Sequence, residues 1–570
     1  MEKWFLTMKK ADFNKIAEKY HISPIIARLI RNRDIIEDKD IDFYLNGTIA
    51  DLYDGILMRD MDQAVDILKD KIQDGSRIRV IGDYDIDGIN ATYILQQGLG
   101  ALGADVDTDI PDRIKDGYGL NKDLIDRALD DEVDTVITCD NGIAAAKEIE
   151  YGKSCGMTII VTDHHQVPYE ETDGEKEYLL PMADAVVDPV RADCEYPFPR
   201  LCGAAIAYKL IETLFEVMGK DVDEVDYLME NVAIATVGDV MDLVGENRIF
   251  VKQGLEMLRR TSNLGLKALM ECTGVDPQTL SVYHIGFVLG PCMNASGRLD
   301  TAKRTLELLN AKNRRDAVML AGDLKALNDS RKEMTQRGLE DAIEQVEHTS
   351  LMEDRVLVIY LPDCHESIAG IIAGRLKERY YKPVFVLTQS EEGIKGSGRS
   401  IDAYHMYDEL CKCRGLLTKF GGHKMAAGLS MEEANILRFR ETMNELCFLT
   451  EEDLVEKVSI DMQLPLEYIS EELVQQLELL APFGMGNRKP LFAERDLKVL
   501  NPKIFGKNRN VLKCTVRNSK GTSMDALYFG EAEECLEYIK GKSGLSITFY
   551  PGINEYMGNR TLQITIVNYK

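Results

Sequence analysis

The sequence predicts an α/β protein: a parallel-sheet domain and a second α/β unit joined by a long helix, followed by a small antiparallel barrel. Three observations carry this. Between Arg77 and Val187 apolar β-like runs alternate with helical stretches, the pattern of a parallel sheet with crossover helices. A long, charged, helix-rich stretch then separates this region from a second alternation of the same kind. After about Glu456 the pattern turns to short strands punctuated by glycine and asparagine turns.

In chain order, residues 1–70 are helical in pattern, broken at Pro24 and at Arg31–Asp34, and offer little chemistry. The first domain is expected over 71–310. Its strands are read at 77–82, 134–139, 157–162 and 183–187, with helices at 88–102 and 144–155. Residues 200–310 read as helical apart from a glycine-containing loop at 290–298. Residues 311–347 form the connecting helix, the second α/β unit occupies 348–450, and the barrel spans 456–570. There is no internal repeat and no low-complexity tract.

With 570 residues and 45% hydrophobic content the chain can bury three or four cores. No apolar stretch approaches the roughly 20 residues of a membrane span, and the first residues lack a basic region followed by an apolar one. A soluble, cytoplasmic protein with no membrane contact is expected. The twelve cysteines include no CxxC pair, which argues against a thiolate zinc site and for reduced thiols. A net charge of −28 argues against a polyanionic partner at first sight. Locally the sign reverses: Lys503, Lys507, Arg509, Lys513, Arg517 and Lys520 occur between 501 and 520 without one acidic residue.

The chemistry concentrates where apolar runs end. His164-His165 follows the 157–162 run, Asp83, Asp85 and Asp87 follow 77–82, Asp140-Asn-Gly142 follows 135–139, and the apolar run 233–238 delivers Asp239 in the same way. The alternate spacing of Asp83, Asp85 and Asp87 puts them on one side of an extended segment. Each motif alone has an ordinary explanation: an Asp-rich turn, hydrogen-bonded loop histidines, helix N-caps. Together they crowd carboxylates at one sheet edge, which a cation must offset. Oxygen ligands with one or two imidazoles suit Mn2+, or Mg2+ less snugly.

These residues resemble the DHH phosphoesterase superfamily, named for the Asp163-His164-His165 triplet, and within it the RecJ family of single-strand-specific DNA exonucleases. The resemblance runs through Gly82–Gly88, Ile110-Pro-Asp-Arg113 with Gly117-Tyr-Gly119, Cys139–Gly142, Leu201-Cys-Gly203, Thr236–Asp239, Met293–Arg298, His365-Glu366, Gly421-Gly-His423, Pro482–Gly486 and Asn554–Arg560. It implies a DHH domain, a DHH-associated domain closing a cleft and a C-terminal OB-like β-barrel. It also implies two divalent ions held by Asp85, Asp87, Asp140, His164 and Asp239, with Asp140 as the bridge. Asp83 stands as a ligand or a neighbour of ligands, and His165 as a ligand or a contact to the scissile phosphate; both remain open. Such ions, about 4 Å apart, lower the pKa of a water and neutralise phosphoryl oxygens.

For substrate, the resemblance points to Arg113, Asn294, Arg298, Arg399 and His423; the local run of cations is read as a basic track through Lys507, Arg509 and Lys513 with Tyr550 or Tyr556 as stacking platforms, a solvated strand face being the alternative. Val187-Asp188-Pro189 and Asp242 depart from the common family pattern. The implied activity is 5′ to 3′ digestion of single-stranded DNA in recombination and repair, by a monomer. Single-strand-binding protein and a RecQ-like helicase are the partners to consider. The competing readings are a phosphodiesterase for oligoribonucleotides or cyclic dinucleotides, an inorganic pyrophosphatase, and a catalytically silent replication scaffold.

Overall fold

The first sheet has five strands, all parallel, in the spatial order Asp105–Asp109, Arg77–Ile81, Thr135–Cys139, Thr158–Thr162, Ala185–Val187. In the computed structural model, which describes residues 2–570 except 114, 115, 118, 173, 174, 391, 392, 507 and 557, the strand sequence alternates strictly between two cores. Ile78, Val80, Ile137 and Ile160 face the helices Ile86–Ala101 and Gly203–Val217. Ile81, Val136, Ile159 and Val161 face the other side with Leu124, Ile125 and Ile149. Burial of both faces is why the inner strands are mainly apolar, whereas the edge strand Asp105–Asp109 is polar. The chain leaves Arg77–Ile81 for one edge and returns to Thr135–Cys139 on its other side, so the loops after these two strands diverge and open a crevice.

Three local expectations are corrected. Asp83, Asp85 and Asp87 do not share an extended segment, because the strand ends at Ile81 and a helix begins at Ile86. Asp85 is its N-cap, accepting from the backbone N–H of Asp87 at 2.9 Å and of Gly88 at 3.1 Å. Asp239 follows a helix, Met229–Gly238, rather than a strand. That helix is buried nearly all round, which erases the amphipathic period and leaves an apolar run ambiguous in sequence. The stretch 290–298 is no loop: a π-helical turn, Ile285–Leu289, passes straight into the helix Gly290–Leu299. Pro291, which has no N–H to donate, falls inside this continuous run, just where the π-helical turn gives way to α-helix. Gly297 of the same helix is required because a Cβ there would lie 2.3 Å from the Tyr84 carbonyl oxygen.

The helix Arg314–His348, 35 residues and roughly 50 Å long, belongs to both lobes. Ala317, Ala321 and Leu324 enter the first core, while Ala342 and Val346 pack with Leu357, Ile359, Ile372 and Val384 of the second. The second lobe carries a mixed sheet in the order Lys419–Gly422, Ala426–Met431, Gly393–Arg399, Val384–Ser390, Leu357–Tyr360.

In the C-terminal module Phe492–Phe505 pairs with Val511–Arg517 and also with Leu545–Tyr556. Most pairs are antiparallel as expected, but Ser523–Phe529 runs parallel to Asn559–Tyr569. The amino-terminal segment is not free-standing. Its strand Lys3–Leu6 pairs with Lys457–Ile460, and Ile26, Leu29 and Ile30 share one core with Leu473, Phe492 and Phe549. Arg248 fastens this assembly to the first lobe, donating to the carbonyls of Tyr44, Leu479 and Leu480.

Candidate metal centre

The crevice at the sheet's switch point gathers all six residues expected to face metal. Asp83, Asp85 and Asp140 bring ligand atoms within 4.8 Å of one another, as do Asp87, His164 and Asp239, and as do Asp140, His164 and His165. Asp140 and His164 each belong to two of these groups. The His164 Nε2 lies 3.0 Å from Asp140 Oδ1, 3.6 Å from Asp87 Oδ2 and 3.9 Å from Asp239 Oδ2. Asp140 reaches this position through a left-handed backbone, φ 60°, in the turn after its strand.

Burial, joined by neighbouring carboxylates, lifts the pKa of Asp83 and Asp140 well above the ordinary range and that of Asp239 to about 8. Burial also raises Asp87, and it does so although His164 and two backbone N–H groups pull the other way. The Asp83 Oδ1 is buried with no hydrogen-bond partner. A set of carboxylates that resists ionisation together, with a buried acceptor left over, fits divalent cations, whose charge and oxygen preference answer both features. Asp87 is anchored by the start of Gly203–Val217: its two oxygens accept from Gly203 N at 2.7 Å and Ala204 N at 2.8 Å. This explains the Leu201-Cys-Gly203 motif, because a Cβ on residue 203 would come 2.7 Å from the Cβ of Asp140.

The Asp163 of the triplet does not join these groups. Its Oδ1 accepts from His165 Nδ1 at 2.7 Å and from the backbone of His164, and its Oδ2 from Ile143 N at 2.9 Å. Burial alone would disfavour a charged His165, but the bond to Asp163 outweighs it and lifts the imidazole to about 9. His164 moves the opposite way, lowered by burial, and so is the better neutral ligand. Asp188 lies behind them, fully buried, its pKa pushed to about 8 by burial and then by the neighbouring Asp163. Asp242 instead pairs with Arg200 at the surface, at 3.0 Å.

Across the crevice stand cations. Arg113 lies 5.1 Å above the Tyr84 ring. Arg298, one turn beyond Asn294, donates at 2.7 Å to the carbonyl of Ser367 in the second lobe. Burial, then Arg113 and Arg331, lowers Arg298 to about 10; burial, then Arg113, lowers Arg399. Guanidinium groups held together out of water oppose one another, and an anion relieves them. Arg331, from the connecting helix, was not foreseen: nothing in a charged helical stretch distinguishes it. His423 is exposed, at the same end of the sheet as Arg399: its N–H bonds Ala426, the residue opposite Arg399.

The basic run does not form a bare track. Arg509 pairs with Glu533 at 2.6 Å, Lys513 with Asp525 at 3.3 Å and Lys520 with Glu467 at 2.6 Å, all acids distant in sequence. Lys507 and Tyr118 lie outside the described residues, as does the side chain of Tyr556. Tyr550 is half-buried with Lys489 5.0 Å above its ring.

Sheet, crevice and ligand set define a metal-dependent phosphoester hydrolase of the DHH superfamily. Residues 77–236 match the DHH family N-terminal domain, 353–447 the DHHA1 domain and 460–568 the RecJ OB domain. The chain belongs to the RecJ family. It is 35% identical over 555 residues to the single-stranded-DNA-specific exonuclease RecJ of Bacillus subtilis, covering 97% of this chain and 68% of that one. To the Escherichia coli RecJ it is 33% identical over 569 residues, 96% of each chain. The crystal structure of Thermus thermophilus RecJ in complex with Mn2+ superimposes with a TM-score of 0.84 at 26% identity, covering 100% of this chain and 79% of that one. The same Thermus protein has also been solved with Mg2+. Among the described residues no helix is long and apolar enough to cross a membrane.

Proposed function

We propose that this chain is a single-stranded-DNA-specific exonuclease that removes nucleotides in the 5′ to 3′ direction by metal-assisted hydrolysis, serving recombination and repair. One observation carries the reading: a carboxylate crevice fitted to divalent ions faces a cluster of arginines fitted to phosphate. Asp83, Asp85, Asp87, Asp140, His164 and Asp239 are the residues that would hold two ions, Mn2+ or Mg2+. When bound, the ions supply an activated water and charge neutralisation at the phosphoryl group.

The remaining steps belong to the protein. Gly203 and Ala204 N–H groups hold Asp87, and Asp163 holds His165, so one metal-facing carboxylate and one phosphate-facing imidazole are fixed before substrate arrives. Charged His165, braced by Asp163, offers a donor to the scissile phosphate. Arg113, Arg298 and Arg399 grip phosphate oxygens, and Asn294 orients the chain. Arg298 also ties the two lobes together through the carbonyl of Ser367.

Small-substrate alternatives, cyclic dinucleotides above all, are disfavoured by the C-terminal OB module, which a short ligand does not need. End-labelled DNA and RNA single strands, incubated with and without Mn2+, test the substrate class. DNA digestion only with metal is expected; selective cleavage of cyclic dinucleotides would overturn the reading. Duplexes with matched 5′ and 3′ overhangs test polarity, and preference for the 3′ overhang would reverse it.

A further inference from the structure

The most exposed phenylalanine and the most exposed tyrosine among the described residues lie against each other. Phe287 is 66% exposed and Tyr283 62% exposed. Their rings stack with centroids 5.2 Å apart and planes 25° from parallel, while His284 packs edge-on against Tyr283. Neither ring serves a core. Large aromatic surface left in water, already stacked, is the form in which proteins present a face to nucleobases.

Position adds to this. The pair occupies the start of one continuous helical run, Val282 to Leu299, whose other end carries Asn294 and Arg298. The π-helical turn Ile285–Leu289 holds Phe287, and such turns are frequent at functional sites. Sixteen residues of helix place the pair roughly 20 Å from the arginine cluster. On one side the run meets the helix that ends at Asp239, since a Cβ on Gly286 would lie 3.7 Å from Val237. On the other it meets the approach to the C-terminal module: a Cβ on Gly484 would lie 3.8 Å from Val282. Tyr283 also lines a groove of about 470 Å³ with Lys252, Lys489 and Phe483. With Arg259 the two lysines outnumber Glu256 and Glu478 in this groove, a local excess of positive charge beside Tyr283 that, on a chain of net charge −28, suits a strand carrying both bases and phosphates.

We infer that Tyr283 and Phe287 form a base-stacking platform that holds single-stranded DNA a few nucleotides beyond the metal cleft, on its way to the OB module. The inference rests on the single-strand reading above. It locates stacking on the first lobe rather than at Tyr550, whose ring is half-buried under Lys489.

The test compares two DNA strands of about 20 nucleotides, enough to span cleft and OB module. One is oligothymidylate; the other has the same backbone but is abasic except at its terminal few nucleotides. The wild-type protein should favour the based strand roughly tenfold in kcat/KM, chiefly through KM. The Tyr283→Ala/Phe287→Ala double variant should lose that preference, and the Tyr283→Phe/Phe287→Tyr double variant should keep it. A purely structural role would not distinguish bases from abasic sites. A double alanine variant that still prefers the based strand overturns the platform, and so does a wild-type protein that digests both strands equally. Digestion of neither strand overturns the exonuclease reading itself.

Discussion

At the scale of single residues, chemistry here comes from charges placed where they cannot settle alone. Asp140 belongs to two of the three ligand groups, with His164 in one and Asp83 in the other, and sits against Gly203. Asp140→Ala is expected to abolish hydrolysis, a loss of at least about a thousandfold, while circular dichroism remains unchanged; retention of near-normal turnover would remove it from the centre. Glu230 gives a titration well away from the site. It is 3% exposed, its carboxylate accepts from Thr261 at 2.8 Å, and burial raises its pKa to about 7. Because the folded pKa lies above the unfolded one, its stability contribution is complete below about pH 4.5 and is lost as pH rises through about 7. Glu230→Gln should therefore gain on wild type between pH 5 and 8, by on the order of 2–3 kcal/mol. Thermal melts across that window check it, and a constant difference would show that Glu230 does not titrate there.

At the scale of elements, the site is made by helix starts and strand ends approaching more closely than side chains normally allow. Gly203 lets a helix N-terminus reach Asp87 while its Cα faces Asp140, and Gly297 lets a helix lie on the Tyr84 carbonyl. Gly203→Ala should push Asp140 aside without removing any ligand. Activity is expected to fall tenfold or more at limiting Mn2+, a loss of about 1.4 kcal/mol or more, with partial recovery as metal is raised. Metal titration of activity is the measurement. An equal loss at every metal concentration would place the fault in folding instead.

At the scale of the whole molecule, an acidic protein must hold a polyanion, and the C-terminal module shows how finely that is balanced. Arg509, Lys513 and Lys520 each face a carboxylate from elsewhere in the chain. Surface pairs of this kind contribute little stability, so removing the acids is tolerable. Glu533→Gln, Asp525→Asn and Glu467→Gln together should free the cations. Affinity for long single strands should rise, and the slope of log affinity against log salt should steepen by about 0.7 for each cation that then meets a phosphate. Fluorescence anisotropy at several salt concentrations reads both; an unchanged slope would mean that the strand does not cross this face.

Four of the five strands of the first sheet, and the acidic residues and histidine that gather at their ends, were legible in the sequence, because strands buried on both faces and carboxylates at their ends leave local signatures only a few residues long; the polar edge strand Asp105–Asp109 was not. The long connecting helix was legible for the same reason. What the sequence left undecided depends on residues far apart in the chain. Asp239 looked strand-borne because a helix buried all round has no polar face to betray its period. The stretch 290–298 looked like a loop because its Gly297 answers to Tyr84, some two hundred residues earlier. The basic run looked bare because Glu467, Asp525 and Glu533 meet it only after folding. Arg331 and the Tyr283–Phe287 stack carry no local mark at all. Local pattern determined most of the elements and which residue types carry the chemistry; tertiary structure alone decided the type of the fully buried or closely packed elements, which charges are neutralised, which glycines are indispensable and which exposed rings face the path of a strand, because each of those is settled by a neighbour that the sequence does not place.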